Sequence, residues 1–416
     1  MDVDSSAVDI TKLRFWLSLV VDEENIRNIK PLPNLDHKIM CGNSLIEEFE
    51  GMRLIDENLL ELSNINPEIE RINSQEVYLK KELEQLRDGS PKNIDRITEI
   101  DNQISKLRKK RKKIISKNND KPQASLFASE AEKKLKLLEK KHEQFFNAES
   151  PNKKKKLRKE IESIEWEFIE ETLKSEGNEK SIDKLEEYKK NKSKPFFIWK
   201  LYFSEIFRRK TPGFDIVIAN PPYVGEKGNK DIFRDIKQTE FGKLFYKRKM
   251  DYFYFFFHKA IDLSRNGGSI AFITTNYYIT ADGAIFLRND FKKRAIIRSL
   301  INFNELRIFD SAKGQHNMIT FLKKGNNPDF NTDIAVTDRQ GDSNPTLLNS
   351  IISGNDKNTL YTNKKQKDLF DGDKNYIRLS GEADEDIENI LKKIKNDSEL
   401  LGTIKNVNQG VLTGAD

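Results

Sequence analysis

Four consecutive residues, Asn220-Pro221-Pro222-Tyr223, combine types and spacing that can do chemistry. They follow Phe214-Asp215-Ile216-Val217-Ile218-Ala219, a short apolar run that reads as a buried strand, and two prolines cannot continue a ladder. The motif therefore lies at the C-terminal end of a strand, where open α/β sheets place their ligands. Proline rings fix the backbone and so set the direction of neighbouring carbonyls. The Asn220 amide oxygen and the Pro221 carbonyl are then two acceptors that can grip an exocyclic amino group. Polarising such a nitrogen favours its attack on an electrophilic methyl group. Tyr223 adds a flat face on which a planar base can stack. The plainer reading of the same residues is a proline-terminated strand beside a core tyrosine.

Other chemistries find little support. The single cysteine, Cys41, rules out an intramolecular disulfide framework and a multi-thiolate metal site. Four histidines leave little room for a histidine-rich centre, so no metal is expected. The elements that must position the motif follow it in order. Residues 251–263 read as a helix ended by Asn266-Gly267-Gly268, residues 269–274 as a second buried strand and 284–293 as a helix. Residues 295–303 and 318–322 read as two more strands. This alternation predicts a doubly wound α/β sheet.

The rest of the chain has a different texture. A length of 416 residues makes two or three units the starting expectation. With 73 Lys+Arg against 67 Asp+Glu, the net charge is only +6 although 34% of residues are charged. Such interleaved signs mark long solvated helices rather than a polybasic tail. Residues 78–86, then Ile97, Ile100, Ile104 and Leu107, then 131–146 and 157–173 carry narrow apolar stripes at three- and four-residue spacing. Breaks at Gly89-Ser90-Pro91 and Ser150-Pro151 suit turns. A helical hairpin or short antiparallel coiled coil fits. The basic runs at 108–113 and 153–156 read first as solvated helix faces and second as phosphate contacts. No apolar run approaches the roughly 20 residues that cross a bilayer, and the N-terminus has no basic-then-apolar signal region. A soluble, cytoplasmic protein with no membrane partner is expected.

The motif and its flanks resemble the amino-methylating DNA methyltransferases of the gamma class, specifically the methylase core of type IIG restriction–modification enzymes. Residues 7–20 resemble the helix after that family's second strand. Pro31-Leu32-Pro33-Asn34-Leu35-Asp36 leading to Cys41-Gly42-Asn43-Ser44-Leu45 resembles its third-strand motif, and Pro195-Phe196-Phe197-Ile198-Trp199 through Phe207 its lead-in to the catalytic motif. Residues 251–278 and 309–322 match in order and spacing. The resemblance covers about 1–50 and 195–325 and leaves the helical middle unexplained.

What the resemblance implies is a Rossmann-like S-adenosylmethionine-dependent methyltransferase sheet carrying a long α-helical hairpin or coiled-coil insertion. The implied reaction is direct transfer of methyl from the sulfonium of S-adenosylmethionine to adenine N6, on a base flipped out of double-stranded DNA. No covalent enzyme intermediate is needed, so Cys41 reads as a buried strand residue rather than a nucleophile. Asn220, Pro221, Pro222 and Tyr223 take the catalytic, target-base roles. Asp2 matches the acid that accepts from the cofactor's ribose, with Asp4 second to it. Asn43 matches a polar contact to the cofactor's adenine, and Asp251 a position near the cofactor pocket. For Asp2, Asn43 and Asp251 the plainer reading is a turn or helix-cap polar residue. Phe309 matches the aromatic on the far face of the target base, against a plain core or loop aromatic.

The sequence also departs from the family. The first strand and its Gly-rich loop are missing, since Met1-Asp2-Val3-Asp4 already resembles strand two. That absence predicts exposed apolar edges and unpaired backbone at the centre of the sheet. A fragment of a longer product, or a separate N-terminal or specificity segment or subunit as partner, is expected, and the chain alone is expected to be inactive. Residues 409–416 resemble the opening of a target-recognition region. The expected layout is therefore 1–50 as the N-terminal part of the methyltransferase, 51–194 as the helical insertion, 195–325 as the catalytic part, and 326–416 as linker and start of the recognition region. No nuclease residues are assigned. The alternatives are methylation of an RNA adenine or a protein glutamine, or an inactive split DNA-binding subunit.

Overall fold

The computed structural model describes residues 3–21, 39–49, 130–175, 180–191, 196–309 and 314–379 almost throughout, with scattered positions at 52–110 and 390–405. Asp2, Pro31 to Asp36, the Gly89-Ser90-Pro91 turn, most of the basic run at 108–113 and residues 409–416 lie outside the described residues. The chain divides into two compact units, Met1–Lys210 and Thr211–Asp416. The division falls inside the 195–325 stretch, because the lead-in to the motif packs within the first unit.

In the first unit, α1 (Ser5–Val21) begins where Asp4 caps it, its Oδ1 accepting from Ser6 N at 2.8 Å. An N-cap carboxylate satisfies a donor the helix cannot, so Asp4 has a structural task. Cys41 is half-buried rather than buried, its Sγ 3.4 Å from the Val3 carbonyl. The lead-in folds back on the same region: Phe197 N donates to Ile46 O at 2.8 Å and Trp199 Nε1 to Ser44 O at 2.8 Å. Phe196, Phe197 and Ile198 are buried there.

The described residues of the middle stretch from 72 to 190 are largely helical, in line with the stripes. Leu79, Leu83, Ile100 and Ile104 form one small core. Helices α2 (Glu130–Phe146) and α3 (Pro151–Ser175) form a hairpin, followed by α4 (Lys180–Lys190). Lys134 pairs with Glu167 and Lys141 with Glu160, so numbers fall along one helix as they rise along the other, the mark of antiparallel neighbours. Leu135, Leu138 and Phe145 supply the buried stripe of α2, and Leu157, Ile161, Ile164 and Phe168 that of α3. Lys153, Lys155 and Lys156 stand exposed.

The second unit is a mixed sheet with helices. Its elements are β1 (Phe214–Ala219), α5 (Lys230–Gln238), α6 (Glu240–Phe245), α7 (Phe253–Leu263), β2 (Ser264–Thr275), α8 (Ile285–Arg294), β3 (Ala295–Asn302), β4 (Asn317–Lys324), β5 (Asn331–Thr337), α9 (Pro345–Ile352) and β6 (Thr359–Lys365). The six strands run in the order β6-β5-β3-β4-β2-β1. β1 is parallel to β2 and β3 to β5, while β4 lies antiparallel between β2 and β3. The predicted ends agree with the observed ones within about two residues except at β2, which starts at Ser264 and takes Asn266-Gly267-Gly268 into an irregular stretch of the strand instead of beginning after it.

Two expectations need correcting. β1 is not buried: it is an end strand, and Ile216 and Ile218 are 69% and 76% exposed. Its apolar sequence reports an ability to be covered, not cover present among the described residues. Residues 326–377 are not a linker either, since β5 and β6 extend the sheet and their alternate burial gives them an inner face. Among the described residues no helix is long and apolar enough to cross a membrane.

Candidate active site

The motif sits where the sequence puts it, directly after the last residue of β1. Asn220 is exposed, Pro221 buried and Tyr223 half-buried. The Tyr223 hydroxyl lies 2.8 Å from Asn220 Oδ1 and 2.9 Å from the Ile273 carbonyl, both as acceptors for its one proton. Burial pushes that phenol up to about 12, against a smaller lowering from the neighbouring Asn317 amide. The proton therefore stays on Tyr223 at neutral pH. A donor aimed at Asn220 Oδ1 fixes which end of the amide faces the site, and a carbonyl oxygen keeps a second lone pair for another donor. The Tyr223 ring meets Phe253 edge-on at 6.2 Å.

The loop behind the motif is fastened to the start of α7. Gly225 forms an isolated antiparallel bridge with Asp251. On either side of it Tyr252 N donates to Val224 O at 2.7 Å and Glu226 N to Met250 O at 3.0 Å. A Cβ on Gly225 would stand 3.1 Å from Asp251 Oδ1, a tight contact that would press on that carboxylate. Glu226 is the lock. It is buried, accepts from Lys249 N at 2.8 Å and from the Tyr246 hydroxyl, and has the Lys237 ammonium 3.5 Å away. Burial alone would raise its pKa, but these donors hold it below the usual carboxylate range. No sequence signal marked Glu226, beyond its following the motif so closely.

Asp251 stands beside the motif loop rather than in the helix, whose first residue is Phe253. Its Oδ2 accepts from the Tyr254 hydroxyl at 3.2 Å, and burial raises its pKa despite that bond. A carboxylate half-withdrawn from water beside the motif suits a ligand that brings hydroxyl donors or positive charge. Asn43 belongs to the first unit, where its Oδ1 accepts from Leu45 N at 3.1 Å in an Asx turn. Asp2 lies outside the described residues. Phe309 is half-buried after the short strand Leu306–Arg307.

Behind the loop, α7 is buried almost all round. Phe257 packs on Phe272 at 4.6 Å and Phe291 at 5.1 Å. His258 is fully buried, with Nδ1 at 2.6 Å from Asp290 Oδ2 and its ring stacked on Phe245 at 3.8 Å. Burial keeps it neutral by lowering its pKa, with Asp290 pulling the other way. Asparagines form the far rim: Asn276 Nδ2 donates to Asn302 Oδ1 at 3.0 Å, and Asn302 Nδ2 to Asn304 Oδ1 at 2.7 Å.

A strand-end Asn-Pro-Pro-Tyr locked to a neighbouring carboxylate thus sits on an α/β sheet, and the Eco57I restriction-modification methylase family matches the chain over residues 1–309. The chain belongs to that family. Membership implies S-adenosylmethionine as its cofactor. The chain is 24% identical over 213 residues to the type II methyltransferase M.HindII of Haemophilus influenzae, covering 49% of this chain and 40% of that protein. It is 24% identical over 209 residues to the type II restriction enzyme and methyltransferase RM.Eco57I of Escherichia coli, covering 49% of this chain and 19% of that one. The chain thus spans less than half the length of these curated relatives. The type IIG restriction endonuclease BpuSI superposes with a TM-score of 0.28 at 15% identity, covering 44% of this chain and 22% of that one.

Proposed function

We propose that this methylase transfers a methyl group to the exocyclic amine, N6, of an adenine flipped out of double-stranded DNA, as part of a restriction–modification or phage-defence system. The observation that carries the reading is the paired Asn220 and Tyr223 at the end of β1, with Tyr223 orienting the amide oxygen. Asn220 Oδ1 and the Pro221 carbonyl accept from the two N6–H groups, drawing electron density onto nitrogen and holding its lone pair toward the methyl carbon. The Tyr223 ring stacks on the flipped base, and Phe309 covers its other face. Stacking offsets part of the few kcal/mol that unstacking the base costs. S-adenosylmethionine supplies the methyl on a sulfonium: the carbon–sulfur bond breaks as the carbon–nitrogen bond forms, and sulfur keeps the electron pair. Asp251 is assigned to hold that cofactor, which its half-buried carboxylate beside the motif fits; Asn43 and Asp2 are assigned to the same task. The proton released from N6 leaves to water, and Cys41 takes no part.

The test uses the full-length protein with methyl-labelled S-adenosylmethionine and, in parallel, unmethylated plasmid, RNA and a protein extract. Label is expected in the plasmid alone. Label in RNA or in a protein amide instead would reassign the substrate.

A further inference from the structure

Two side chains near the target-base motif are buried with polar atoms that have no hydrogen-bond partner among the described residues, and one oxygen of half-buried Gln315 is buried and unpaired as well. Both amide atoms of Asn317 are unpaired, as are Thr275 Oγ1 and Gln315 Oε1. Asn317 is 1% exposed and Thr275 4%. Buried polar atoms are nearly always satisfied, and a whole side-chain amide left unpaired calls for an explanation. Their place in the fold supplies one. Asn317 is the first residue of β4 and the register partner of Thr275, the last residue of β2. Opposite residues of an antiparallel pair share a face. The carboxyl end of β2 is also that of β1, where Asn220 begins the motif. The Asn317 amide stands at the Tyr223 hydroxyl, close enough to lower its pKa but short of hydrogen-bond geometry. The Tyr223 hydroxyl itself is on Asn220 Oδ1. A free donor-and-acceptor pair is thus built into the wall beside the acceptors that grip the amine.

We infer that Asn317 is a specificity-determining residue that reads the ring edge of the flipped base. Its Nδ2 donates to a ring nitrogen beside the amine, N1 on one side or N7 on the other. The acceptors of the motif recognise any planar amine. A donor beside them adds a demand for a neighbouring ring acceptor, which a glutamine side-chain amide does not have. The inference rests on the reading of the site as a base-binding one, and it explains why the amide stays unpaired until substrate arrives.

The substitution that tests it is Asn317→Leu, which has the same branching and is free of polar atoms. Replacing an unpaired buried amide by an apolar group of like shape is expected to leave the melting temperature unchanged or raise it. Methylation by the full-length protein is first mapped on plasmid DNA, and the mapped site is placed in duplexes carrying adenine, 1-deazaadenine or 7-deazaadenine. Asn317→Leu is expected to lower kcat/KM on adenine by roughly tenfold or more. On one of the two deaza duplexes it is expected to cost nothing further relative to the unsubstituted protein. A loss equal on all three duplexes, or no loss on adenine, overturns the inference. If Asn317→Leu does not fold, Asn317→Asp keeps the shape, removes the donor and carries the same comparison. Failure of the unsubstituted protein to methylate any adenine would instead sink the parent reading.

Discussion

Helices α7 and α3 bury apolar residues in opposite ways. Nine of the eleven residues of α7 are buried, four of them Phe or Tyr, and only Asp262 stands exposed. α3 buries a stripe and shows lysines and glutamates to water, tied by pairs such as Lys141–Glu160. A helix buried almost all round cannot shift without disturbing what surrounds it, whereas a striped helix can lose one contact and keep the rest. The motif loop is fastened to the head of α7 through the Gly225–Asp251 bridge. The rigid helix therefore holds the loop that carries the candidate chemistry.

That contrast can be broken at several points. Phe257→Ala should cost about 4 kcal/mol in chemical denaturation, since Phe257 is fully exposed to no solvent and packs on two phenylalanine rings. Methylation should fall with it. Leu138→Ala in α2, also 0% exposed, should cost about 3 kcal/mol in the unfolding of the hairpin yet leave methylation per folded molecule unchanged. Equal damage to methylation from both would abolish the distinction drawn between the helices.

Smaller changes sharpen it. Tyr223→Phe keeps the stacking ring and removes the donor that orients Asn220, so kcat should drop by about tenfold with little change in KM for DNA. Asp251 gives a pH prediction. Its folded pKa is raised by burial, so as pH falls it takes up a proton sooner than an exposed aspartate, and ligand binding that needs the carboxylate is lost at a higher pH. Isothermal titration with S-adenosylmethionine should show that acid limb, and Asp251→Asn should flatten it at reduced affinity. Glu160→Gln on the hairpin should shift the melting temperature little, because an ion pair still partly open to water contributes little.

Much of this contrast could be read in the sequence. Phe253 to Leu263 has no polar stripe, 157–173 has one, and Asn266-Gly267-Gly268 separates α7 from the body of β2. The motif could be placed because its prolines end the strand they follow. Other features were hidden for physical reasons. The apolar run of β1 cannot tell a central strand from an end strand, since burial depends on neighbours that periodicity does not name. β5 and β6 are too polar to announce themselves beside the runs of β2 and β3. Glu226 and Asn317 are ordinary polar residues in the sequence, and their meaning comes from partners that only the fold supplies, or withholds. Asp4 went the other way, its place before Ser5 and Ser6 fitting the helix cap it forms.

The most direct test of the central claim is mass spectrometry of the nucleosides from unmethylated DNA incubated with S-adenosylmethionine and the full-length protein, alongside its Asn220→Ala variant. The account predicts N6-methyladenine with the unsubstituted protein and at least about a hundredfold less with Asn220→Ala, whose folding should be unaffected because Asn220 is exposed. Undiminished N6-methyladenine with Asn220→Ala, or a methylated cytosine in its place, would contradict it.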